Sequence, residues 1–217
     1  EKQLVISFPT LEVGDVLEVK WTTRGKNPEH DGQFFARYSF GDFDYPIVRD
    51  EVKVRLPVDR VLKHACVNGK IEPRVTEADG LRLYRWTAHN SRTPPKDEDR
   101  PSKEELRPRV SCSTFTTWEK VGAWKRKLRA GCWECTADIK KTVAEVTRGL
   151  TSPREKARAL AYWVRRSIRY LAAGERHDYT PHKPHDVLTN RQGDCKDTSQ
   201  LLAVMLKEAG VPSALVT

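Results

Sequence analysis

The segment Gly193-Asp194-Cys195-Lys196-Asp197-Thr198 carries the residue types best suited to chemistry. Asp194 reads as a helix N-cap, which sets Cys195 at the first helical position. A thiol there meets the positive end of the helix dipole and N–H groups that have no partner within the first turn. Both favour the thiolate, the nucleophilic form of cysteine. The same N–H groups can hold the oxyanion of an acyl-transfer intermediate. Cys195 shares a helical face with Thr198, Leu202, Met205 and Ala209, so its sulfur is expected at the rim of a packed interior. A buried cysteine without a chemical role is the alternative that position leaves open. Lys196 and Asp197 are expected in supporting roles. Gln192 offers a side-chain amide as a second oxyanion donor.

His177, His182 and His185 precede this segment in a stretch rich in His and Pro, read as a loop over 173–192. Their expected role, with Tyr179, is to line a substrate cleft. To act as a base, one of them would have to fold back onto the thiol. Cys132-Trp133-Glu134-Cys135 falls between two helical stretches, without the βαβ context of a redox motif. No second Cys/His pair at zinc spacing accompanies it, so no metal site is expected. Two free thiols or a local disulfide both remain open. Cys66 and Cys112 sit in strand-like apolar runs and are expected in the core.

These residues need a scaffold, and the hydropathy pattern supplies two kinds. Residues 1–89 read as an antiparallel β-domain that resembles a small sandwich. Leu17, Val19 and Trp21 alternate with polar residues, as do Phe34, Ala36, Tyr38 and Phe40, and Val52, Val54 and Leu56. Asn68-Gly69 and Asp79-Gly80 are tight-turn dipeptides, predicting hairpins between segments near 62–67, 70–75 and 81–88. Residues 90–109, with four prolines and mixed charge, read as a linker. The period turns helical from Thr116, where Thr116-x-x-Glu119 matches a capping box. A helix is expected over 136–148, closed by Gly149. Another starts at Ser152-Pro153 and buries Ala157, Leu160, Ala161, Val164 and Ile168. The last runs from Cys195 to Ala209, followed by a short strand at Ala214–Val216.

The chain has 217 residues and a net charge of +9. Residues 119–173 hold 14 Lys/Arg against 5 Asp/Glu, so the whole excess lies in one helical stretch. It reads as a solvated helix face or as a surface for an anionic polymer. No zinc-finger spacing or RNP-like strand accompanies it, which argues against nucleic acid. The longest apolar runs have six residues, Ala159–Val164 and Leu201–Leu206, far short of the ~20 that cross a bilayer. A soluble protein is therefore expected.

The run Tyr179-x-Pro181-His182, Val187-Leu188-x-x-Arg191-x-Gly193-Asp194-Cys195-Lys196-Asp197, then Leu201, Leu202, Met205 and Ala209-Gly210-Val211-Pro212, resembles the nucleophile segment of bacterial transglutaminase-like proteins. Ile168-Arg169-Tyr170 fits the same pattern. The front, with Phe8-Pro9 and Val13-Gly14-Asp15-Val16-Leu17-Glu18, resembles the uncharacterised β-domain that often precedes that core. The resemblance implies an α+β fold, with residues 110–217 as the helical half of a papain-like core. It implies a Cys-His-Asp triad with Cys195 as nucleophile, and acyl transfer or amide hydrolysis at glutamine or peptide substrates through a thioester. No cofactor is implied. In the family the His and Asp follow the nucleophile helix, and here neither residue type occurs after Asp197. The chain is therefore expected to stop short of the other two triad members. The missing initiator Met and the family together suggest an exported or periplasmic protein. The competing expectation is a non-catalytic module that binds a protein or an anionic cell-envelope partner.

Overall fold

The computed structural model describes residues 7–42, 44–91, 101–171 and 179–216. Its first part is built from two antiparallel sheets of three strands each. In one, β2 (Ile47–Pro57), β5 (Leu81–Ser91) and β4 (Arg74–Ala78) lie in the order β2-β5-β4. In the other, β1 (Phe35–Ser39) and β3 (Lys63–Val67) flank β6 (Arg109–Ser113). Period-two alternation turns Val54, Tyr84 and Trp86 of the first sheet and Val110 and Cys112 of the second into one core, completed by Phe40 and Leu62. Asp79 and Gly80 both have positive φ, 52° and 72°, as the turn joining β4 to β5 requires.

The second part is helical: α2 (Trp118–Leu128), α3 (Ala137–Val146), α4 (Pro153–Ser167), α5 (Pro184–Asn190) and α6 (Cys195–Glu208), with a short α1 (Lys103–Leu106) before β6. α3 to α6 surround a second core, in which Ile139, Leu160, Leu201 and Met205 are fully buried. Each helix contributes residues three or four apart, the spacing of one helical face. A parallel pairing of β7 (Arg169–Tyr170) with β8 (Gln192–Gly193) ties the end of α4 to the start of α6. The molecule is α+β, with strands first and helices after. No helix among the described residues is long and apolar enough to cross a membrane.

The structure corrects several expectations. Leu17, Val19 and Trp21 lie in no strand and are exposed, Trp21 at 79%. Alternation makes a face, but a strand also needs a ladder partner, and the described strands pair among themselves. Asn68 takes positive φ, yet its turn joins no hairpin, because β3 pairs with β6 while β4 pairs with β5. β6, expected to open the second domain at residue 110, is instead the middle strand of a sheet in the first part. Part of the expected linker is thus structured, and residues 92–100 fall outside the described residues. The cap of α2 is Thr117, one residue later than expected, accepting from Lys120 N at 3.4 Å. Ala161 is exposed, because Leu160, Val164 and Ile168 already fill the buried face of α4. The expected loop over 173–192 contains α5, too short to show a period but anchored by Val187 and Leu188. His177 falls outside the described residues. Ala214–Val216 forms no strand, and Val216 is exposed.

Candidate active site

Cys195 is the first residue of α6, as its sequence position predicts. The capping is reciprocal. The Asp194 carboxylate accepts from Lys196 N (2.9 Å) and Asp197 N (3.2 Å), and the Asp197 carboxylate accepts from Asp194 N (3.0 Å). The helix start is therefore rigid, with the first-turn amides held in fixed directions. Lys196 Nζ pairs with the other oxygen of Asp194. Cys195 itself is exposed, not at the rim of the interior. The inward face is set one position round the helix, by Asp197, Gln200, Leu201, Val204 and Met205, because two polar residues take interior positions.

Asp197 is 2% exposed. Besides Asp194 N it accepts from His182 N (2.8 Å), and its Oδ2 lies 3.0 Å from His182 Nδ1. Burial alone would raise its pKa, but these hydrogen bonds and the Lys196 charge outweigh it and hold the carboxyl below its ordinary value. Gly193 is packed so tightly that a Cβ would stand 2.7 Å from the Asp197 Cβ. The β7–β8 pairing thus runs directly beneath the helix start.

Two cavities meet at Lys196. The one at Cys195 has a volume of about 560 Å³ and is also lined by Lys125, Arg129, Tyr179, Ser199 and the apolar side chains Leu202 and Leu206. The other, about 270 Å³, is lined by His182, Asn190, Gln192 and the Asp194 and Asp197 carboxylates. Of the residues singled out in the sequence, Tyr179 and Lys196 share the cavity of Cys195. His182 and Gln192 lie in the second cavity. His185 turns toward the start of α3, with Nδ1 3.4 Å from Thr136 Oγ1 and 3.9 Å from Asp138. The cleft expected to collect all three of Tyr179, His182 and His185 is thus divided. α5 is the reason, since its first turn carries His185 away from α6.

Sequence reasoning missed the residues that hold the segment before α5. The Glu29 carboxylate, on a 3-10 turn at Pro28–His30, accepts from Tyr179 N (2.7 Å) and Thr180 N (3.0 Å). Trp124 Nε1 donates to Glu29 O at 2.6 Å. On the next residue, Pro181 O accepts from Cys132 Sγ (3.2 Å), and Cys132 O accepts from Gln200 Nε2 on α6 (2.7 Å). Cys132 and Cys135 are free thiols, as are the other three cysteines. The Asn27-Pro28-Glu29 run, a capping residue followed by proline, signalled a turn but not its partner. Contacts across such a separation have no sequence periodicity.

Burial raises the Glu29 pKa, but the Thr180 hydroxyl, the two amides and Lys196 together bring it below its ordinary value. A depressed carboxyl stabilises the fold above its unfolded pKa and loses that contribution as pH falls toward the folded one. Glu29→Ala is expected to speed hydrogen exchange at the Tyr179 and Thr180 amides about tenfold at neutral pH, from the loss of charge-assisted bonds. Mass-resolved exchange over that peptide measures it, and unchanged rates would remove the clamp from the account.

The structure thus places an exposed thiol at the capped start of a helix on an α+β scaffold. Residues 140–217 match the profile of the transglutaminase-like superfamily, and residues 1–95 match a domain of unknown function with a solved structure, DUF3857. The chain carries a transglutaminase-like core behind a DUF3857 domain. A crystal structure from Parabacteroides distasonis, provisionally named a protease, aligns with a TM-score of 0.73 at 19% identity, covering 83% of this chain and 35% of its own. A structure from Cytophaga hutchinsonii, provisionally named a cysteine protease, aligns at 0.33 and 13% identity, over 82% of this chain and 62% of its own. The first likeness shows the fold, and the second is too weak to carry an argument. This chain spans less than two thirds of both. Among curated proteins, none matches.

Proposed function

We propose that the protein is a thiol acyl-transfer enzyme acting on glutamine side chains or peptide amides, with Cys195 as nucleophile. The observation that carries this reading is the exposed thiol on the first turn of a doubly capped helix, in a cleft large enough for a side chain and its backbone. The Cys195 thiolate adds to the amide carbonyl carbon, and the oxygen takes the charge. Asp194 takes the Lys196 and Asp197 amides, so the Cys195 N–H, at the positive end of α6, is the first-turn donor assigned to it in this reading. Collapse expels the amine, which takes a proton from the conjugate acid of the base, and leaves a thioester on Sγ. An amine or water then attacks that carbonyl, returning the thiol and releasing amide or acid.

No histidine lines the Cys195 cleft among the described residues. His182 faces the neighbouring cavity, engaged by Asp197. In this reading the base is a histidine that the described residues of the cleft do not supply. The engagement of His182 by Asp197, in the neighbouring cavity, favours the second reading, a binding module in which the thiol has no catalytic partner. Asp194 and Asp197 act by fixing the helix start, and Lys196 by pairing with Asp194. The strands from Phe35 to Ser113, joined by their pairing, and the helices beyond them form the two parts of the proposed division.

Incubation with a small activated ester tests the reading. A hydroxylamine-sensitive acyl adduct is expected on Cys195, located by peptide mass. An intact protein in which Cys195 acquires acyl groups no faster than Cys66 and Cys135 would favour the binding module.

A further inference from the structure

The Cys195 cleft carries a charge pattern that the proposed chemistry does not require. Among the described residues that line it, three are cations, Lys125 on α2, Arg129 at the C-cap of α2 and Lys196 on α6, and none is a carboxylate. The charge of Lys196 is matched by Asp194. Lys125 and Arg129 are one helical turn apart and face the cleft together. Lys125 Nζ lies 4.8 Å from the centre of the Trp124 ring and 5.0 Å from that of Tyr179, so its head is fixed over two aromatic faces. Glu29, the carboxylate that acts on Lys125, has its two oxygens taken by Tyr179 N and Thr180 N.

We propose that this cleft selects acidic peptides, placing a carboxylate of the substrate on Lys125 and Arg129 while the reacting carbonyl meets Cys195. The inference rests on the acyl-transfer reading and names its substrate class. The energetic reason is local. Burial and the Arg129 charge push the Lys125 pKa down against the opposing pull of Glu29, so the Lys125 ammonium is partly desolvated and repelled by its neighbour. An incoming carboxylate offsets the repulsion and pairs with the partly desolvated ammonium. It also faces the positive end of α6. Leu202 and Leu206 supply an apolar wall, so the fitting ligand is a peptide with a negative charge beside an apolar side chain, not a bare polyanion.

Two alkylating agents of similar size and different charge read the field at the thiol. Iodoacetate and iodoacetamide are reacted with the 217-residue chain, and their rates at Cys195 are divided by those for glutathione. The normalised iodoacetate-to-iodoacetamide ratio is expected to exceed one by at least about threefold at low salt. It should fall toward one in 1 M salt, where screening acts within about 3 Å. Lys125→Gln with Arg129→Gln should bring the ratio down at low salt, with circular dichroism to verify the fold. A short peptide with glutamates flanking a glutamine should slow alkylation more than its neutral counterpart. A ratio of one in the unaltered protein overturns the proposal without any variant, as does equal protection by the two peptides. The ester adduct on Cys195 uses a neutral acyl donor, so its success or failure is independent of both.

Discussion

Alanine at Asp197 is expected to destabilise the protein by about 3 kcal/mol, from two backbone donors stranded at a buried position and a lost contact to the His182 ring. For a chain of this size that corresponds to a melting temperature lower by about 6–12 °C. The carboxylate is almost fully buried and accepts from Asp194 N, His182 N and the His182 ring. Removing it leaves the Asp194 and His182 amides without that partner and breaks the reciprocal half of the cap on α6, whose Leu201 and Met205 fill the helical core. The charge also sets a pH window. The Asp197 pKa is depressed in the folded state, so its contribution is complete above the ordinary carboxylate range. It declines as pH falls through about 4 toward the folded value. The difference in melting temperature between the unaltered protein and Asp197→Ala should therefore be largest near neutrality and shrink in acid. Melts at several pH values measure both. A drop under about 2 °C at pH 7 would show that the network carries little of the stability.

Serine at Cys195 is expected to do the opposite, leaving the fold intact and removing the chemistry. The side chain is exposed and belongs to neither core, so the change in stability should stay within about 0.5 kcal/mol. A hydroxyl at that place is far harder to deprotonate than a thiol. Formation of the acyl adduct should fall by more than about 10⁴-fold. Ester labelling followed by mass spectrometry gives the rate, and a melt recorded beside it gives the stability. Retention of the adduct in the serine variant would place the reactive group on another residue.

The two expected results separate position from reactivity, and the same separation runs through what the sequence disclosed. Helix α6 was legible to the residue at its start, because Gly193-Asp194-Cys195 combines a cap with an abrupt change of period. So were α3 and α4, each with an apolar face that repeats over ten or more residues. Asp197 was visible only as a residue of the motif. Its burial follows from His182 folding onto it, a contact that no local spacing encodes. α5 was hidden because seven residues hold scarcely two turns, and its His and Pro look like loop chemistry. Lys125 and Arg129 were counted within a basic stretch, but their shared outlook on Cys195 depends on how α2 docks against the 3-10 turn at Glu29. The alternation of Leu17, Val19 and Trp21 shows the limit of pattern reading from the other side. Those residues have the right period, yet they lie in no strand and are exposed.

The placement of β6 bears on how this protein can be made and cut. Its sheet has β1 and β3 on either side of a strand that leaves the ribosome last. Until Arg109–Ser113 has emerged, the two earlier strands have no ladder with each other, and their backbone groups stay in water or find the wrong partner. A fragment ending near residue 95, where the DUF3857 match stops, would keep five of the six strands and lose the one that joins two of them. Such a piece would expose two strand edges that the intact sheet covers, one on β1 and one on β3, a template for aggregation. An expressible N-terminal unit must extend through Ser113.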